Sequence, residues 1–161
     1  MQDRIDKLLA QWSAERPELD CSGLDVVARL QDAAKMLRRD EDEALETLGL
    51  KMWEYDVLSV LRRQGDPYEL PATELARETL LSAGAMTNRI DRLETKGLVN
   101  RATDPDDRRG VLVSLSPAGR ALVDEAIEAR LNIADDQVAE LSHEERRAIS
   151  SGLRKLIAAA G

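Results

Sequence analysis

Phenylalanine is absent from the 161 residues, and two Trp and two Tyr are the only aromatic side chains. Readers of single-stranded nucleic acid stack successive bases on aromatic faces, so this composition speaks against that class. With one Cys and one His, the chain can form no internal disulfide and cannot build the usual Cys/His zinc site alone. A Ser-His-Asp or Cys-His mechanism would have to use His143, which sits in the charged run from Ser142 to Arg147 and reads as an exposed helix position. No phosphate-binding loop occurs either, so an enzyme is the weakest reading, and neither metal nor cofactor is expected. Cys21, between Asp20 and Ser22, reads as an incidental loop thiol, with a redox or interchain role as the alternative. No run approaches the ~18 apolar residues of a membrane helix. The opening residues alternate in charge, unlike a secretion signal, so the expected location is the cytoplasm.

Charge of positive sign is also in deficit: 23 Lys+Arg face 31 Asp+Glu, a net charge of −8. At face value that opposes a polyanionic partner. The deficit is uneven, however. Residues 71–115 carry seven basic and seven acidic side chains, residues 1–70 carry 10 and 16, and residues 116–161 carry 6 and 8. The excess acid lies outside the middle segment. Screening over about 8–10 Å at physiological salt lets a protein carry such acid away from a DNA-binding face.

Apolar spacing supplies the elements. Ile5, Leu8, Leu9 and Trp12 mark a short helix over 3–16, followed by Pro17 and a loop. Leu24, Val27, Leu30, Ala34 and Leu37 mark a long helix over 24–47, ended by Gly49. A third covers 52–64, with Tyr55, Leu58 and Leu61, and stops at Gly65 and Pro67. A short helix over 70–78 and a second over 83–96, capped by Ser82 and closed by Gly97, form a helix-turn-helix pattern. The period then drops to two: 98–102 and 110–115 read as strands joined by a polar turn. Ser116-Pro117 starts another helix, with Ala118, Leu122, Ala126, Ala129, Ile133 and Val138 on one side. Ser142 and Glu145 form a capping box for the last, whose apolar face is Ile149, Gly152, Leu153, Leu156 and Ile157. The fold class is therefore mainly α with a small β-hairpin wing, a winged helix-turn-helix with N- and C-terminal dimerisation helices. The expected division is 1–48, 49–115 and 116–161. A second copy would cover the terminal apolar stripes most economically, since two-fold dimers are the commonest assembly.

A helix of this kind presents its N-terminal residues to base edges in the major groove. Ser82, Thr87, Asn88 and Arg92 have suitable donors and acceptors for bases and phosphates. Arg108 and Arg109 at the wing tip suit a narrow minor groove, with Asp107 bracing Arg109.

The run from Leu81 to Val99, with Asp104-Pro-Asp-Asp-Arg-Arg-Gly-Val-Leu-Val-Ser-Leu-Ser-Pro-Ala-Gly119, resembles the MarR family of bacterial transcriptional regulators from about residue 24 onward. The resemblance implies a dimer on a pseudo-palindromic double-stranded operator, usually as a repressor released by a small ligand. The first helix also resembles that of the urate-responsive, PecS-type subgroup, which implies ligand contacts at Trp12, Asp56, Arg63 and Arg89. The chemistry is compatible with a planar anion: Arg63 and Arg89 offer permanently charged planar donors, Trp12 an aromatic face, and Asp56 an acceptor for a ring N–H. Asp56 and Arg63, seven residues apart, share a helix face. Two alternatives stay open: a regulator sensing a phenolic or other aromatic acid, and a winged-helix module that binds protein.

Overall fold

The computed structural model describes residues 2–105, 107 and 110–160. The expected wing-tip contacts Arg108 and Arg109, and the brace from Asp107 to Arg109, lie outside the described residues. The elements are α1 (Arg4–Glu15), α2 (Ser22–Thr47), α3 (Met52–Arg63), β1 (Glu69–Pro71), α4 (Ala72–Glu78), α5 (Ala83–Thr95), β2 (Val99–Thr103), β3 (Val111–Leu115), α6 (Pro117–Gln137) and α7 (His143–Ala160). They divide into two compact units, residues 1–41 and 42–161, with the boundary inside α2.

In the first unit the Asp3 carboxylate caps α1. It accepts from the N–H groups of Ile5 and Asp6 at 2.8 and 3.0 Å, while Asp6 accepts from the Asp3 N–H at 2.7 Å. Two arginines fasten α1 to α2. Arg29 reaches Asp3 at 2.8 Å and Asp6 at 2.7 Å, and Arg4 pairs with Asp32. The Asp3 carboxyl is held below the usual carboxylate range, first by the Asp6 amide and also by Arg29. Leu24, Val27, Leu30 and Leu37 are exposed along α2, as the apolar stripe of a helix awaiting a partner would be.

The second unit carries the core. Val57, Leu58, Leu61, Leu75, Leu93, Val113 and Val123 have no measurable exposure. The helices around this core stop where backbone chemistry stops them. After α5, Gly97 takes φ +70, its N–H donates to Glu94 O and the Leu98 N–H donates to Leu93 O. Glycine adopts that left-handed turn without the Cβ clash other residues suffer. α2 ends the same way at Gly49. Ser82, Ser116 and Ser142 cap α5, α6 and α7 as expected, each hydroxyl accepting an N–H from the first turn.

Two expectations are corrected. The expected hairpin is present as the antiparallel pair β2 and β3, but a third strand joins it in the order β1-β3-β2, and that strand takes Leu70 and Pro71, which were expected in the helix ending at Glu78. β1 pairs Leu70 with Val113, and its Pro71 sits on an edge strand, where a missing N–H is tolerated. On α6 the buried line is Gly119, Val123 and Ala126, while Leu122 is only partly buried. α6 packs along α3, and at its start the Gly119 backbone lies against Leu98: a Cβ there would stand 1.9 Å from the Leu98 carbonyl oxygen. Three hydrogen bonds hold that approach. The Ser116 N–H donates to Leu98 O at 3.0 Å, its hydroxyl donates to Gly97 O at 2.6 Å, and the Gly119 N–H donates to Ser116 Oγ at 2.9 Å. The start of α6 is thereby pinned to the junction between α5 and β2.

Candidate nucleic-acid interface and effector hollow

α5 is two-sided. Met86, Ile90 and Leu93 are buried, and Ser82, Thr87, Asn88 and Arg92 all lie exposed on the other side. The 3.6-residue repeat produces this division, turning every buried apolar side chain away from an outward polar strip. The Ser82 hydroxyl accepts from Ala85 N and the Thr87 hydroxyl donates to Ala83 O, which fixes where both oxygens point. Asp107, on the turn after β2, is exposed, and its carbonyl accepts from the Gly110 N–H at 2.7 Å.

Three side chains fix α5 in place; Arg89 was expected as a ligand contact, and neither Lys96 nor Arg101 stood out in the sequence. Arg89 lies 5.3 Å from the centroid of the Trp53 ring on α3. Lys96, two turns further, reaches Glu54, the neighbour of Trp53, at 2.7 Å. Glu54 is 2% exposed and also accepts from the Lys51 N–H, so its charge is compensated by one ion pair and one amide. From the wing side, Arg101 on β2 pairs with Asp91 and lies 3.1 Å from Glu94.

A second feature lies behind the interface. A hollow of about 460 Å³ is lined by Tyr55, Asp56, Ser59, Val60 and Arg63 of α3, Glu78, Thr79 and Leu80 at the end of α4, and Ile127 of α6. It therefore brings together Asp56 and Arg63 of the ligand constellation. Arg89 sits on Trp53 and is not in this lining, and Trp12 belongs to the first unit, 47% exposed. Leu80 is 93% exposed at φ +55, a left-handed conformation that costs a leucine about 1–2 kcal/mol. It links α4 to α5, so the hollow touches the hinge of the helix-turn-helix. Nothing near Leu80 in the sequence marks that role, because its partners in the lining lie on α3 and α6. No group of His, Cys, Asp or Glu among the described residues is arranged to hold a metal, and no described helix is long and apolar enough to cross a membrane.

A model of the MarR family matches residues 48–110. The chain is 30% identical over 142 residues to the HTH-type transcriptional regulator PecS of Dickeya dadantii, covering 88% of this chain and 86% of that one. Its structure superposes with TM-score 0.68 on Bordetella bronchiseptica BpsR, whose DNA binding is regulated by 6-hydroxynicotinic acid. The identity is 30%, covering 82% of this chain and 98% of BpsR. The same fold appears in a cysteine-substituted E. coli MarR complexed with operator DNA: TM-score 0.71, 24% identity, coverage 90% and 96%. The fold and the outward strip of α5 define a winged helix-turn-helix, DNA-binding transcriptional regulator. With the match to PecS over most of both chains, the protein belongs to the MarR family. Its relatives are regulators, not enzymes.

Proposed function

We propose that the protein is a dimeric repressor, released from a pseudo-palindromic operator by urate or a related purine. The observation that carries this reading is the shared hollow. Asp56 and Arg63 line it together with Glu78, Thr79 and Leu80, the residues that lead into α5. A purine presents ring N–H groups that Asp56 can accept and carbonyl oxygens that Arg63 can face with its planar donors. A ligand wedged there presses on the hinge of the reading helix. To turn a population from 1:99 to 99:1 it must favour the released state by ~5.5 kcal/mol. The subgroup resemblance adds Trp12 and Arg89 as further ligand contacts. On the DNA side, Ser82, Thr87, Asn88, Arg92, Asp107, Arg108 and Arg109 are the proposed contacts.

A duplex enriched by this protein from a random-sequence pool, titrated with urate in a gel shift, tests the reading. Release is expected below millimolar urate. Asp56→Asn and Arg63→Ala should blunt it with thermal stability retained. A complex that persists at millimolar urate refutes the ligand. The BpsR likeness favours a second reading, a planar aromatic acid such as 6-hydroxynicotinic acid. A thermal-shift comparison of that acid with urate separates the two, the true ligand class giving the larger stabilisation. The dimer rests on exposed apolar side chains, among them Leu131 of α6 and Ile149, Leu156 and Ile157 of α7. Light scattering should return twice the chain mass of 17.9 kDa, and a monomer at micromolar concentration refutes it.

A further inference from the structure

We infer that Arg101 is a positioning residue for DNA binding, acting by masking the two carboxylates of the reading helix rather than by touching DNA. α5 carries two arginines, Arg89 and Arg92, and two acids, Asp91 and Glu94. The acids are exposed, and Asp91 is the immediate neighbour of Arg92 on the groove-facing side. Left bare, they would oppose the phosphates that Arg92 is placed to meet, and like charges brought together across an interface are costly.

Arg101 answers both. It projects from β2, where it pairs across the sheet with Val113, and its side chain is 25% exposed. Its Nη2 donates to Asp91. Its Nε lies 3.1 Å from Glu94 Oε2, off the line of the N–H, so this second contact is one of charge rather than a hydrogen bond. A guanidinium suits the task because its rigid planar fork serves two carboxylates at once and never loses its proton. The same contact fixes the wing strand against the helix that precedes it, so that groove and wing contacts keep one spacing. An arginine committed in this way turns its Nη2 and Nε to the carboxylates of α5.

The inference rests on α5 being the helix that faces DNA, so Arg92→Ala is measured alongside. Binding of the full chain to the enriched duplex is followed by fluorescence anisotropy at several salt concentrations, with a thermal melt of every variant. Arg101→Met is expected to weaken binding about tenfold, because it exposes two carboxylates. Arg101→Lys keeps the charge and should retain most of the affinity. Asp91→Asn added to Arg101→Met restores the local charge of −1 that the wild-type trio carries, and affinity should return to within about threefold of wild type. The slope of log affinity against log salt should then equal that of wild type. A phosphate-contacting Arg101 would instead leave this double variant weak, with its slope reduced by about 0.9. That result overturns the inference, as does Arg101→Lys binding no better than Arg101→Met, or a double variant that stays weak with a lowered melting temperature. Should Arg92→Ala bind like wild type while the Arg101 series behaves as expected, the assignment of Arg92 as a DNA contact fails and the masking role stands.

Discussion

Replacing Gly119 with alanine tests how the DNA-binding unit is held together. The added Cβ would lie 1.9 Å from the Leu98 oxygen, 2.8 Å from its carbonyl carbon and 3.1 Å from its Cα. All three are backbone atoms, so no side-chain rotation relieves the clash. The start of α6 must move by about 1–1.5 Å, which strains the two hydrogen bonds from Ser116 to Leu98 and Gly97, each worth about 1 kcal/mol net. Overpacking adds about 1–3 kcal/mol. Alanine's better helix propensity returns at most about 1 kcal/mol. The balance is a loss of about 2–4 kcal/mol. For a chain of this size that lowers the melting temperature by about 5–15 °C. Urea unfolding at fixed protein concentration measures it, with an unchanged m-value showing that stability alone has moved. Gly84→Ala is the control. Gly84 also sits in the first turn of a serine-capped helix, yet a Cβ there meets nothing within 4 Å. That variant should be neutral or gain up to about 1 kcal/mol. If Gly119→Ala behaves like Gly84→Ala, the close approach of α6 to Leu98 is not a feature of the folded protein.

Lys96→Met leaves the buried Glu54 carboxylate with only the Lys51 amide. Because Lys96 is itself 45% exposed, a loss of about 1–3 kcal/mol is expected in urea unfolding, with Lys96→Arg recovering most of it. The latch between α1 and α2 should open in acid. Asp3 and Asp32 are both held below their ordinary values, Asp3 chiefly by the Asp6 amide and Asp32 chiefly by Arg4. Groups with depressed native pKa values contribute fully above the unfolded value, about 3.9, and lose that contribution as pH falls through the native values. Hydrogen-exchange protection of α1 should therefore hold from neutral pH to about 5 and fall below about 4, and Asp32→Asn should remove part of that step. Ile157→Glu places a charge on a side chain that is 72% exposed in the single chain. It should shift light scattering toward the monomer while leaving the helical circular dichroism unchanged, and an unaltered dimer would exclude α7 from the interface.

How far the sequence can be read depends on how far apart the interacting residues lie. Ser82, Ser116 and Ser142 announce helix starts, and Gly49 and Gly97 helix ends, because each acts on backbone groups within a few residues of itself. β1 is invisible for the opposite reason. It is three residues long, contains Pro71, and exists only because β3, more than forty residues later, supplies its partners. The buried side of α6 is equally non-local: the helix is apolar on several faces, and the choice among them is made by α3 packing along it and by Leu98 against Gly119. Asp56 and Arg63 were legible as a pair because two helical turns place them on one face, whereas Glu78, Thr79 and Leu80 reach the same hollow from another element. Charge shows the limit most sharply. Counting residues 71–115 gives seven of each sign and a neutral segment, but a sum treats every charge as equally available to DNA. Folding does not: it seats Arg89 on Trp53, ties Lys96 to Glu54, and spends Arg101 on Asp91 and Glu94. Arg92 keeps no carboxylate partner among the described residues, and it lies on the exposed strip of α5. A neutral sum thus conceals a helix whose two acids are paired with Arg101 while Arg92 stays presented, and this sorting bears on how a protein of charge −8 meets a polyanion more directly than its net charge does.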